Sequence, residues 1–179
     1  MSRYSKWAKK ERSEGARIIA LLPAGFLFLI LLPYILLVVS PSLDAMLGLD
    51  RLDPSSATLI IGGILLAVGL VFALWSIYTQ FTLGRGTPLP VIPTRRLLTT
   101  GPFRYCRNPM TLGTILAYLG LSIAAATIVG ILIVASLGSL LLVYLMRMEE
   151  KELAERFGEE YLAYRRDVPF IIPRMPRRR

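Results

Sequence analysis

A long uncharged segment dominates the second half of the chain. No charged residue occurs from Met110 to Met146, although charged residues stand on both sides of this run. A single helix of that length would measure roughly 55 Å, whereas the hydrocarbon core of a bilayer is about 30 Å thick. The run therefore predicts two helices that form a hairpin, with a turn near Thr127–Gly130. Such a hairpin returns both charged flanks to the same side of the membrane.

Two further apolar blocks precede the hairpin, and each has about the 20 residues that a membrane-spanning helix requires. The pattern predicts an all-α, polytopic membrane protein with four transmembrane helices, at about 18–39, 57–81, 110–126 and 129–146. None of these four blocks contains an ionisable Asp, Glu, Lys or Arg side chain. The first block exceeds the apolar core of a typical signal peptide, so we interpret it as a retained helix. We treat residues 1–179 as a single integral membrane domain.

Two polar regions flank the hairpin. The loop at 82–109 is rich in glycine and proline, which favours irregular structure. The tail at 147–179 begins with apolar residues spaced by three or four, from Leu153 to Tyr164, which predicts an amphipathic helix over 149–164 that Gly158 bends. Within the third span, Gly113, Ala117 and Gly120 recur at helical spacing and indicate close helix packing.

The distribution of basic residues predicts the orientation. Arginine and lysine cluster in the N-terminal segment, the loop at 82–109 and the tail, whereas the connection at 40–56 has Arg51 beside three aspartates. Because cytoplasmic flanks hold the excess of positive charge, we expect both termini on the cytoplasmic side of a multi-pass protein, in the plasma or inner membrane if the source is prokaryotic. This topology also explains the net charge of +9, and no motif for nucleic acid appears.

Composition excludes several kinds of site. The sequence has no histidine and only one cysteine, Cys106. It therefore cannot form a histidine-ligated metal site, a cluster of thiolate ligands or an internal disulfide. The remaining candidates are arginines and carboxylates at the two ends of the hairpin, which could hold a small zwitterion or could form structural ion pairs. The charges alone leave both interpretations open.

Two motifs at these ends point to a family. The first is Gly101-Pro102-Phe103-Arg104-Tyr105-Cys106-Arg107-Asn108-Pro109-Met110, and the second is Glu149-Glu150 followed by Leu153, Phe157-Gly158, Tyr161, Tyr164 and Val168-Pro169. Their order and separation resemble the isoprenylcysteine carboxyl methyltransferase family and its phospholipid methyltransferase relatives. The resemblance implies a membrane enzyme that uses S-adenosylmethionine. Its pocket would lie between the last two helices, the preceding loop and the tail helix, and would open to the bilayer for a lipid or a hydrophobic small molecule.

The same resemblance assigns the site residues by position. The candidate cofactor-binding residues are Arg95, Arg96, Leu97, Leu98, Gly101, Phe103, Asn108, Pro109, Met110, Thr111 and Glu149. The candidate catalytic residues are Arg107, Asn108 and Glu150. The candidate substrate-binding residues are Arg147 and Tyr161. No metal is implied.

Two departures from the family pattern affect the expected substrate. Asn108 stands where the family usually has histidine, although an amide still donates and accepts hydrogen bonds. Leu145 stands where the isoprenylcysteine enzymes tend to have an arginine, and Arg147 lies two residues further on, on roughly the opposite helix face. An isoprenylcysteine substrate is therefore disfavoured. Without a histidine base, the simplest acceptor is one that is already nucleophilic at neutral pH, such as a carboxylate or thiolate, whereas an amine would need help from a group such as Glu150 or Tyr161.

Other functions fit the sequence less well. Membrane sterol reductases share a similar C-terminal motif, but they use a nicotinamide cofactor and usually have many more helices. A small transporter would need an ionisable group within the membrane. An inactive lipid-binding or accessory protein of the same fold remains an alternative. The sequence predicts neither the acceptor nor the oligomeric state.

Overall fold

The computed structural model describes residues 22–23, 25–50, 52, 55–84 and 96–175. The helices are α1 (Leu27–Met46), α2 (Ser56–Thr82), α3 (Pro109–Ala124), α4 (Ile128–Phe157) and α5 (Glu159–Asp167), with a short 3₁₀ turn at Gly101–Arg104. No strand occurs within the described residues. The predicted all-α class is confirmed. Arg95 and the N-terminal residues to 21 lie outside the described part of the chain.

Three of these helices, α1, α2 and α4, are long and apolar enough to cross a membrane. Helix α3 is also apolar but has 16 residues, which corresponds to about 24 Å. Two helices continue past the ends predicted from hydropathy, since α1 extends beyond residue 39 to Met46 and α4 extends beyond residue 146 to Phe157. Hydropathy marks where apolar side chains stop, whereas backbone hydrogen bonding continues through the polar residues that follow.

Prolines shape α1 without ending it. Pro33 and Pro41 each lack the backbone N–H that would bond four residues back, and their rings crowd the preceding turn. Wide π-helical turns occur at Leu27–Leu31 and Ile35–Val39, immediately before each proline-containing turn. A widened turn relieves the crowding, so the helix passes both prolines.

Glycines bring α2 and α3 into direct backbone contact. A Cβ atom placed on Gly69 would lie 2.3 Å from the backbone nitrogen of Ala117, and one on Gly113 would lie 2.5 Å from that of Ala73. The pair Gly62 and Gly120 meets in the same way further along the helices. Any larger side chain would force the helices apart. The small residues predicted to mediate helix packing in the third span do so.

The helices define two ends of the bundle. At the turn end, residues 125–127 connect α3 to α4, and the Thr127 hydroxyl accepts the Gly130 N–H at 3.1 Å to cap α4. Asp44, near the end of α1, reaches the same place, where its Oδ1 accepts the Val129 N–H at 2.8 Å. The opposite end, which we call the loop end, contains residues 96–108, the last turns of α4, and α5.

The tail has two helical segments where we expect one helix over 149–164 that Gly158 weakens or bends. Helix α4 passes through a π-helical turn at Leu145–Glu149 and ends at Phe157, and α5 begins at Glu159. Gly158 between them has φ of +55°, a conformation that other residues rarely adopt. This glycine lets the chain change direction, so α5 folds back toward the loop end and does not continue the line of α4.

Candidate active site

The loop before α3 is anchored on the end of α2. Gly101 has φ of +60°, and a Cβ there would lie 3.1 Å from the hydroxyl oxygen of Thr79 and 3.5 Å from the indole nitrogen of Trp75. Glycine therefore supplies both the backbone conformation and the close approach. Beyond it, the ring of Tyr105 lies 6.1 Å from that of Trp75, and Phe103 is buried. These contacts fix the loop that leads to Arg107 and Asn108.

Arg107 joins three separate parts of the loop end. Its Nε and Nη2 both donate to Oε1 of Glu150, with a distance of 2.9 Å for Nε. Its Nη1 donates to the backbone carbonyls of Arg165 at 2.9 Å and Val168 at 2.6 Å. The last two bonds satisfy carbonyls at the C-terminal end of α5, where a cation is favoured. A single guanidinium thus ties the loop to α4 and α5.

Glu150 is the partner that makes this arrangement possible. The side chains of Arg107 and Glu150 are only 10% and 9% exposed. The second carboxylate oxygen of Glu150 lies 3.5 Å from Nε of Arg165, and the buried Tyr161 lies close enough for the charge of Glu150 to act on its hydroxyl. The π-helical turn contributes, because five residues of a widened turn bring Glu150 close to the face of buried Leu145. Burial, followed by the charge of Glu150, raises the pKa of Tyr161 to about 12.

A buried cluster of loop and α5 residues lies beside this ion pair. The Tyr164 hydroxyl donates to the Phe103 carbonyl at 2.6 Å, and burial raises its pKa. Cys106 is fully buried, and desolvation raises the pKa of its thiol to about 11, partly opposed by a backbone hydrogen bond from Asn108. A protonated, inaccessible thiol is unsuited to nucleophilic chemistry. Cys106 therefore acts as a packing residue.

Glu149 and Arg147 have environments unlike that of Glu150. Glu149 is partly buried, and burial raises the pKa of its carboxyl, partly opposed by the charge of Arg156. No hydrogen bond or ion pair joins this carboxylate to another residue within the described part of the chain. Arg147 is exposed and likewise has no such partner among the described residues. The two side chains lie on roughly opposite faces, because they are two residues apart in a helical turn, in agreement with the exposure of Arg147 and the partial burial of Glu149.

The structure brings most of the predicted site residues to the loop end. Arg107 and Glu150 form an ion pair, the pair acts electrostatically on Tyr161, and Asn108 adjoins Arg107 as the residue before α3. Pro109, Met110 and Thr111 form the first turn of α3, whereas Arg96, Leu97 and Leu98 lie in the irregular segment before Gly101. Arg147 is exposed on α4 and makes no contact with this group that the structure records.

Sequence reasoning missed three participants. Trp75 fits the pattern of a membrane-interface anchor, yet its ring packs against Tyr105 of the loop. Arg165 reads as one of many basic tail residues, and Phe170 follows the second motif with no pattern of its own. Only spacing from Tyr161 could have indicated Arg165, which lies four residues later on the same helix face. No sequence signal pointed to Phe170, because it takes part through its backbone carbonyl, which accepts a hydrogen bond from Nδ2 of Asn108 at 3.1 Å.

The family of the chain follows from its match to known proteins. A family model described as phospholipid methyltransferase matches residues 57–160, from α2 to the beginning of α5. The chain belongs to the phospholipid methyltransferase family. The family predicted from the two motifs is thus confirmed, and the match includes both Arg107 and Glu150.

Two curated relatives give the family match more detail. The chain is 31% identical over 103 residues to a protein of Crocosphaera subtropica named methanethiol S-methyltransferase, an alignment that covers 58% of this chain and 37% of that protein. It is also 31% identical over 108 residues to methanethiol S-methyltransferase 2 of Bradyrhizobium diazoefficiens, covering 60% and 39%. The chain thus spans about two fifths of the length of the curated relatives it matches.

Proposed function

We propose that this protein is a membrane methyltransferase that uses S-adenosylmethionine to methylate a small hydrophobic thiol at the loop end of the bundle. The observation that carries the proposal is the Arg107–Glu150 contact, because it joins the two motifs across 43 residues of sequence. This contact holds Asn108 and Glu149, the neighbours of the pair, at one end of the helices. Family membership supports methyl transfer, and the names of the two relatives support a thiol acceptor.

The residues at the loop end suit such a cofactor. Glu149 offers a partly buried carboxylate without a described partner, which can accept hydrogen bonds from an ammonium or ribose hydroxyl. Arg96, Leu97 and Leu98 lie in irregular backbone whose polar groups are not part of a helix. When bound, the cofactor supplies a methyl carbon that its positive sulfur has already activated. The protein then has to align the acceptor and exclude water.

The contacts that Arg107 and Glu150 already make favour a thiol as the methyl acceptor. Arg107 makes four hydrogen bonds within the protein, so its guanidinium is not free to hold a substrate carboxylate. Glu150 is engaged by Arg107 and Arg165, which leaves it poorly suited to remove a proton from an ammonium acceptor. A thiol can react without either residue, because the small fraction that ionises at neutral pH, with its proton passing to water, is a strong nucleophile.

The proposal includes a position in the membrane. We place all four helices α1 to α4 across the bilayer, with α3 as the shortest crossing and the loop end on the cytoplasmic side. The arginines of the loop and tail support this orientation by the positive-inside rule. Apolar residues such as Leu70, Val71 and Leu74 point outward from α2, where lipid would cover them. The acceptor would then enter from the bilayer beside the loop.

Binding and turnover of purified full-length protein in detergent test this function. Isothermal titration with S-adenosylmethionine should give saturable binding, and donor with a labelled methyl group should transfer the label to methanethiol in preference to phospholipid or isoprenylcysteine. Glu149→Ala should weaken cofactor binding about tenfold or more, as expected for a lost charge-assisted hydrogen bond. Glu160→Ala is the matched control, because Glu160 is an exposed carboxylate on α5.

Each outcome has a defined meaning. Absence of saturable cofactor binding in the folded wild-type protein would reject the methyltransferase proposal. Binding with transfer to phospholipid, and none to a thiol, would retain the reaction but overturn the acceptor. Equal cofactor affinities for Glu149→Ala and Glu160→Ala would show that Glu149 does not contact the donor.

A further inference from the structure

Residues 168–174, which we call the strap, follow α5 and lie along the loop. Three backbone hydrogen bonds join the two segments: Arg107 N–H donates to the Pro169 carbonyl at 2.9 Å, Asn108 N–H to the Phe170 carbonyl at 3.2 Å, and Arg174 N–H to the Tyr105 carbonyl at 3.0 Å. The strap therefore packs on the backbone of the first motif, although about sixty residues of sequence separate them.

The side chain of Asn108 strengthens this contact in an unusual way. Asn108 is the N-cap residue of α3, a position where asparagine normally accepts a hydrogen bond from the first helical turn. Its side chain makes no such cap. Instead, Nδ2 donates to the Phe170 carbonyl at 3.1 Å, the same oxygen that accepts the Asn108 backbone N–H. The backbone N–H and the side-chain amide of one residue thus both donate to the strap.

We propose that Asn108 is a positioning residue that holds the strap against the loop, and that a hydrogen-bond donor is the property required at position 108. The inference rests on the proposed function at one point, because the loop that the strap holds carries the residues proposed to bind the cofactor. Loss of the donor leaves the Phe170 carbonyl with one fewer partner and loosens the strap from Phe170 onward. The loop then samples conformations that bind cofactor poorly.

Arg107 holds a different part of the tail from Asn108, so the contributions of the two residues can be measured separately. Its bonds to the carbonyls of Arg165 and Val168 fix the end of α5, and its guanidinium lies 5.8 Å from the centre of the Phe170 ring. These contacts do not require the Asn108 amide. A change at Asn108 should therefore loosen the strap beyond Phe170 while the ion pair with Glu150 persists.

Limited proteolysis without cofactor measures the strap directly. Arg174 provides a trypsin site within the strap, and its backbone N–H bonds to Tyr105. We expect Asn108→Asp, which replaces the donor with a carboxylate, to increase cleavage after Arg174 about tenfold, as measured by intact mass. Asn108→His retains a donor and should remain near the wild-type rate. Thr99→Asp is the control, since it adds the same charge at an exposed position in the same loop.

Steady-state kinetics provide a readout that a purely structural role would not change. We expect Asn108→Asp to raise KM for S-adenosylmethionine about tenfold with kcat within about twofold, and Asn108→His to restore KM. If Asn108→Asp does not fold, Asn108→Ala removes the donor without adding charge and takes its place. Unchanged cleavage after Arg174 together with a raised KM would make Asn108 a cofactor contact and overturn the proposal.

Other results are also decisive. Unchanged cleavage with a lower kcat would assign Asn108 to the reaction itself and would equally overturn the positioning role. If the wild-type protein neither binds nor uses S-adenosylmethionine, the proposed function fails. The cleavage rates of the variants without cofactor would still establish or reject the contact between Asn108 and the strap.

Discussion

Buried acidic side chains have different partners at the two ends of the bundle. At the loop end, Arg107 and Glu150 neutralise each other and also bind the end of α5, so charged groups connect three chain segments. At the turn end, Asp44 is fully buried, and only its Oδ1 has a partner, the Val129 N–H. Its Oδ2 has no hydrogen-bond partner within the described structure. The loop end therefore contains a network of charged hydrogen bonds, whereas at the turn end Asp44 caps the beginning of α4.

The difference indicates where the functional site should lie. A carboxylate at the beginning of α4 interacts favourably with the helix dipole and fixes α1 to the hairpin, which is a local structural task. The loop end instead gathers residues from the loop, α4, α5 and the strap, and it leaves Glu149 without a described partner. We therefore expect changes at the turn end to affect stability alone, and changes at the loop end to affect both stability and ligand binding.

The largest effect should come from Arg107→Ala. This change leaves the buried carboxylate of Glu150 without its main partner, which typically reduces the free energy of unfolding by about 3 kcal/mol or more. Denaturant unfolding in detergent, followed by circular dichroism, measures the loss. The double change Arg107→Ala with Glu150→Ala should recover part of it, because no unpaired charge remains. A loss below about 1 kcal/mol for the single change would contradict the network.

Asp44→Ala should have the next largest effect, at the turn end. Removal of the cap leaves the Val129 N–H unsatisfied and should lower the free energy of unfolding by about 2 kcal/mol. Asp44→Asn keeps an acceptor oxygen and should have a smaller effect. Affinity for S-adenosylmethionine, measured by titration of the folded protein, should stay at the wild-type value. A reduced affinity in a stable Asp44 variant would remove the proposed separation between the two ends.

Tyr164→Phe should have a modest effect at the loop end. It removes a single hydrogen bond to the Phe103 carbonyl and keeps the ring in place, so we expect a loss of about 1 kcal/mol in the free energy of unfolding. The exposed Tyr78→Phe change on α2 provides a matched control, with an expected effect close to zero. Equal effects of the two changes would argue against a stabilising role for the Tyr164 hydroxyl.

The smallest effect on the free energy of unfolding should come from the ionisation of Cys106. Its buried thiol has a pKa raised to about 11, so it stays protonated in the folded protein at pH 8 and should resist iodoacetamide. Unfolding in dodecyl sulfate should allow labelling, which mass spectrometry detects. The sign of the shift also predicts that the free energy of unfolding falls as pH rises above about 9, since the unfolded thiol releases its proton first. Equal labelling of folded and unfolded protein would contradict this burial.

The fold was largely predictable because membrane helices leave a strong local signal. Uncharged runs indicated the apolar helices, and the small residues at Gly113, Ala117 and Gly120 indicated a close helix contact, which α2 provides. Helix ends were less predictable. Asp44 lies beyond the apolar block that predicted the first span, yet it belongs to α1 and is buried. A charged residue ends a hydropathic run, but it does not break the hydrogen bonds of a helix.

The candidate site was predictable as a pair of motifs and less so as a set of contacts. The two motifs singled out Arg107 and Glu150. Residue types alone could not distinguish a ligand-binding pair from an internal ion pair. Helical periodicity predicted that Arg147 lies on roughly the opposite helix face from Leu145. The exposed side chain of Arg147 agrees with this prediction. The π-helical turn that accompanies the burial of Glu150 has no sequence signature that we can identify, because it adds a residue to a turn without a proline or glycine.

The sequence by itself determined the helical class, the apolar helices and the family, because each depends on local hydropathy or on motifs that are read directly from residue order. Only the tertiary structure decided which partner each polar group takes. The bonds from Arg107 to the end of α5, from Asn108 to Phe170 and from Asp44 to Val129 cross 58, 62 and 85 residues of sequence, respectively. Such pairings depend on how the helices pack, and several of them use backbone carbonyls or N–H groups, which every residue type presents and no sequence pattern can distinguish.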